Sequence, residues 1–81
     1  MANDAGTAGQ MNEWLRARGY ICGRSYAKVG DLVSGIEANA KEPGETRDDL
    51  ERRVKRIVKS GSYGFKSIGD TEVSASEPKC G

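Results

Sequence analysis

The chain has no histidine, one tryptophan, one phenylalanine, two prolines and two cysteines among its 81 residues. Without histidine it lacks the side chain that most often moves protons near neutral pH. Two thiols fall short of the four donors of a structural zinc site, so no metal and no cofactor is expected. Cys22 has no histidine to activate it as a nucleophile. The glycines at 61 and 64 are not followed by the lysine and helix of a phosphate-binding loop. These absences together point to a non-enzymatic protein. Cys22 and Cys80 read as free thiols in a reducing compartment; a disulfide between them would close a long loop.

Long apolar runs are also missing. No stretch approaches the roughly 20 residues that a membrane-spanning helix needs. The opening residues, Met1 to Gly6, carry an acid and no apolar stretch, so no secretory signal is expected. A cytoplasmic location follows, and a virus-encoded protein working there fits equally well. Leu, Ile, Val and Phe make up thirteen of the 81 residues, below the roughly 20% that warns of disorder when net charge is also high. Net charge here is only +1. The expectation is a folded domain with a small core, one that leaves room for a partner or a second copy in a homodimer to complete it.

Residues 1–8 are small or polar and read as a flexible arm, and residues 76–81 as a flexible tail, which leaves one domain over residues 9–75. Met11, Trp14, Leu15 and Arg18 fall at helical spacing, with Gly19 as the stop and Trp14 as a core anchor. Tyr20, Ile21 and Cys22 form a short β-prone run suited to the third strand of a small sheet. A second helix is expected over residues 25–41, from the spacing of Val29, Leu32, Val33, Ile36 and Ala40, with Ser25 or Asp31 as its cap. Gly30 and Gly35 weaken it by up to about 1 kcal/mol each. Pro43 and Gly44 end it in a tight turn. Residues 63–73 read as a β-hairpin with Gly69 and Asp70 at its turn. The fold class is therefore α+β and mainly helical, with three helices and a small C-terminal hairpin.

The best-specified element is the third helix, residues 46–59. Thr46 is a good N-cap, and Asp49 three residues on completes an acidic variant of the capping box. Leu50, Val54, Ile57 and Val58 make one continuous apolar stripe. The opposite side carries Asp48, Arg52, Lys55, Arg56 and Lys59, with Arg53 at its edge. Arg47 and these five basic residues face only three acids in the segment, so a near-neutral chain contains a locally basic surface. Glu51–Lys55 and Asp48–Arg52 also pair at i, i+4, as on an ordinary solvated helix.

In order, the elements are helix, short strand, helix, tight turn, capped basic helix and hairpin. On the Leu32, Val33 and Ile36 helix, the Glu42-Pro43-Gly44-Glu45 turn, the helix at 46–59 and the hairpin at 63–73, the chain resembles winged helix-turn-helix domains across about residues 9–75. That resemblance implies a DNA-binding regulator of transcription whose third helix lies in the major groove of double-stranded DNA. Arg47, Arg52, Arg53, Lys55, Arg56 and Lys59 would be its DNA-binding residues, with Lys66 on the wing. Because the first turn is acidic, contact is expected from Arg52 onward. The rival reading is a regulator or inhibitor that docks the same helix on an acidic protein surface, with Tyr20, Tyr26, Tyr63 and Phe65 available as aromatic anchors.

Overall fold

The computed structural model describes residues 4–21 and 23–76. Cys22 and Cys80 lie outside the described residues, as does the tail from residue 77. The chain forms α1 (Asp4–Ala17), β1 (Ala27–Lys28), α2 (Val29–Ala40), α3 (Arg47–Ser60), β2 (Lys66–Ile68) and β3 (Glu72–Ser74). This is an α+β, mainly helical architecture. Each helix packs on the other two, and the strands form one antiparallel sheet in the order β1-β3-β2.

The helices meet through the apolar stripes that their spacing defines. Met11 and Leu15 of α1, Leu32, Val33 and Ile36 of α2, and Leu50, Val54, Ile57 and Val58 of α3 are all buried. Each such side chain contributes about 1.5–3 kcal/mol of burial. Val73 of β3 and Phe65, just before β2, close the core on the sheet side, and Tyr63 packs at its margin. Trp14 is half-buried against the same cluster. Tyr20 stacks on it at 6.0 Å between ring centroids, and the Arg18 guanidinium lies 4.2 Å from the indole centroid.

Four local expectations are corrected. The arm expected over residues 1–8 is helical from Asp4 onward, because Thr7 and Ala8 are buried and small side chains are what a close helix approach requires. The first strand lies at Ala27–Lys28, not at residues 20–22. Ile21 makes only an isolated parallel bridge to Ala75, after which the chain turns through Gly23 at φ 69°. It enters the antiparallel sheet where Ala27 faces Val73 and Lys28 faces Glu72. The second helix consequently starts at Val29 and is capped by neither Ser25 nor Asp31. The Val29 N–H instead donates to the Thr71 carbonyl at 2.8 Å, which satisfies one of the donors a helix start leaves unpaired. The hairpin is present, but its turn takes three residues, Gly69 to Thr71, between the paired Ile68 and Glu72.

Between α2 and α3, Glu42-Pro43-Gly44-Glu45 makes a tight turn. Proline stands at its second position and Gly44, at φ 82°, at its third, the pattern of a type II turn. The Glu45 N–H donates to the Glu42 carbonyl at 3.0 Å. The α3 capping box forms as expected: the Asp49 N–H donates to the Thr46 hydroxyl at 3.1 Å, and the Thr46 N–H donates to the Asp49 carboxylate at 3.4 Å. Gly61, left-handed at φ 69°, ends the helix.

Candidate nucleic-acid interface

With its apolar stripe inward, α3 leaves Asp48, Arg52, Arg56 and Lys59 outermost. Arg47, Glu51 and Lys55 lie on one flank of that stripe and Asp49 and Arg53 on the other. The seven basic residues expected to form an interface fall into separate roles.

Arg53 does not face outward. Its side chain is 3% exposed. One nitrogen donates to the Glu45 carboxylate at 2.5 Å and another to the Ala40 carbonyl at 2.7 Å. Glu42 lies 4.0 Å from the same guanidinium. Glu45 also accepts the Glu42 N–H at 3.1 Å, so one carboxylate closes the interhelical turn and holds Arg53. The Ala40 carbonyl is at the end of α2, where a helix leaves acceptors unpaired. Arg53 therefore caps α2 from α3 and fixes the angle between the two helices. Among the described residues the Arg53 Nε has no partner.

Arg47 is likewise engaged internally. Its Nη2 donates to the Gly30 carbonyl at 2.9 Å and to the Ser34 hydroxyl at 2.6 Å. Glu51 lies at 3.6 Å and Glu37 at 3.9 Å. Arg56 donates to Asp4 at the start of α1, at 2.9 Å. Lys55 pairs with Glu51 at 3.3 Å.

Arg52, Lys59 and Lys66 stand most open. The Arg52 side chain is 78% exposed and touches Asp49 at 3.3 Å. Surface pairs of this kind contribute roughly 0–1 kcal/mol, so Arg52 is free to exchange Asp49 for another anion. Lys59 and Lys66 are exposed and form no ion pair among the described residues. The Lys66 stem passes over Gly23. Hydrogen bonding with the Thr46 side chain and backbone, aided by the Arg52 charge, holds the Asp49 carboxyl below its ordinary value of 3.8. Asp49 is therefore ionised at neutral pH, at the positive end of the α3 dipole.

Two exposed groups were not singled out by the sequence. Lys28 occupies the cap position of α2 in extended conformation, next to the β3 hairpin strand. Ile68, 50% exposed on β2, is one of two large apolar side chains open to solvent among the described residues. Both were concealed because residues 25–28 read as helix and the hairpin register was unknown. The aromatic anchors mostly close the core instead: Phe65 is buried, and Tyr20, Tyr26 and Tyr63 are half-buried.

Among the described residues, no group of three or more acids or thiols is placed to hold a metal ion, and no helix is long and apolar enough to cross a membrane. No protein-family model, curated protein or solved structure matches the chain.

Proposed function

We propose that the protein is a small winged-helix-like regulator that binds double-stranded DNA. The observation that carries this reading is the cationic outer side of α3, where Arg52 and Lys59 stand open with Lys55 half-exposed beside them, next to a three-stranded sheet whose hairpin bears Lys66. An α-helix fits the B-DNA major groove, and an exposed arginine suits the paired acceptors of guanine. Arg52 is the residue for base contact, while Lys55, Lys59 and Lys66 suit phosphates. Arg47 and Arg53 act indirectly, by fixing α3 against α2. The acidic first turn with Asp48 and Asp49 moves the contact toward the middle and C-terminal half of the helix.

The test is a salt series with generic duplex DNA. Three or four phosphate contacts predict that log affinity falls against log salt with a slope of about −2.7 to −3.6. No binding at about 50 mM salt refutes the proposal. The second reading, docking on an acidic protein surface, draws support from the half-exposed Ile68 beside Lys66, since an apolar group next to a cation suits a protein interface.

A further inference from the structure

Asp4 and Arg56 are 52 residues apart in sequence, yet they form an ion pair that joins the first turn of α1 to the basic side of α3. Arg56 stands four residues from Arg52 and three from Lys59, so the three cations share one side of the helix. We propose that Asp4 is a built-in competitor for the anion that this surface binds: its carboxylate occupies Arg56 in the free protein and is displaced by a phosphate of the duplex. The inference rests on the DNA-binding reading above.

The geometry is that of an exchangeable contact. A single nitrogen, Nη2, serves both carboxylate oxygens, at 2.9 and 3.2 Å. The paired fork that makes an arginine–carboxylate contact strong uses two nitrogens. Among the described residues, Nε and Nη1 of Arg56 have no acceptor. Both side chains are open to water, at 58% for Arg56 and 35% for Asp4, so solvent and salt screen the pair. Asp4 opens its helix, and the first α1 side chains buried in the core are Thr7 and Ala8, which leaves its turn able to fray without disturbing the core. A phosphate presents the same planar acceptor pair that a guanidinium recognises. Binding a phosphate at Arg56 therefore requires this pair to be broken, which weakens affinity without removing the contact.

A cycle of the full-length wild type, Asp4→Asn, Arg56→Ala and the double variant tests this with generic duplex DNA, and Glu13→Gln controls for the loss of one negative charge elsewhere on α1. Asp4→Asn is expected to tighten binding about fivefold at ~50 mM salt with a log–log salt slope close to that of the wild type, since Arg56 reaches the same phosphate in both complexes. Glu13→Gln should change affinity less than twofold. The Asp4→Asn gain should vanish when Arg56 is alanine. Unchanged affinity for Asp4→Asn, at wild-type helix content by circular dichroism, overturns the inference while leaving DNA binding standing. So does a gain that survives in the double variant. Asp4→Ser, which also suits a helix start, replaces Asp4→Asn if that variant loses helix. If neither the wild type nor any variant binds duplex DNA, the DNA-binding reading fails and the inference falls with it.

Discussion

The indole nitrogen of Trp14 lies where a side chain on Gly35 would begin. A Cβ at that position would overlap the ring at Nε1 and the two carbons beside it, so glycine in the middle of α2 is what allows α1 to pack so closely. Among the described residues the Trp14 N–H finds no acceptor.

Gly35→Ala should therefore destabilise the protein by about 1–2 kcal/mol, because overpacking outweighs the gain of up to about 1 kcal/mol in helix propensity. Gly30→Ala, in the same helix but with open space around its Cβ position, should stabilise by a few tenths to about 1 kcal/mol. Urea denaturation of both variants measures the contrast, and equal effects would refute the packing argument.

Arg53→Ala should cost about 3 kcal/mol, since it leaves the Glu45 carboxylate and the Ala40 carbonyl without their donor. Arg52→Ala, at a side chain 78% exposed, should change stability by no more than about 0.5 kcal/mol. Thermal unfolding of the two single variants separates the structural arginine from the surface one.

Thr46→Ala should cost about 1 kcal/mol through loss of the N-cap. The pH dependence has a definite sign. The Asp49 carboxyl is lowered below 3.8 in the folded chain, so its contribution is fully present above about pH 4 and is lost as pH falls through the lowered value. The stability gap between wild type and Thr46→Ala should narrow on acidification below about pH 4, measured by urea midpoints across that range.

In DNA binding, Lys59→Ala and Lys66→Ala should each weaken affinity and reduce the salt slope by about 1. Arg47→Ala should leave the slope unchanged, since its guanidinium is held by Gly30 and Ser34. A slope loss for Arg47→Ala equal to that of Lys59→Ala would place Arg47 in the interface after all.

What could be read from the sequence was local. Thr46 and Asp49 are three residues apart, and Pro43 and Gly44 are adjacent, so caps and turn followed from neighbours alone. The α3 stripe followed because its four aliphatics have no competing arrangement. The fate of Arg53 depended on tertiary partners, although two acids bracketing a turn, with an arginine at the edge of an apolar stripe, were visible as a signal. Residues 4–8 misled because Ala, Gly and Thr resemble a linker, whereas in this fold their small size brings α1 close. Ala27 and Lys28 have no intrinsic strand preference, and only their pairing with β3 makes them a strand.

The sheet order carries a further consequence for how the chain matures. β3 is the central strand and the last in sequence, so neither β1 nor β2 has its partner until residues 72–74 exist. The Ser76 N–H then donates to the Asn12 side chain across 64 positions at 2.7 Å, and the Ala75 N–H donates to the Tyr20 carbonyl at 2.8 Å. A chain that ends before residue 72 therefore lacks the central strand of its sheet and both of these closing contacts.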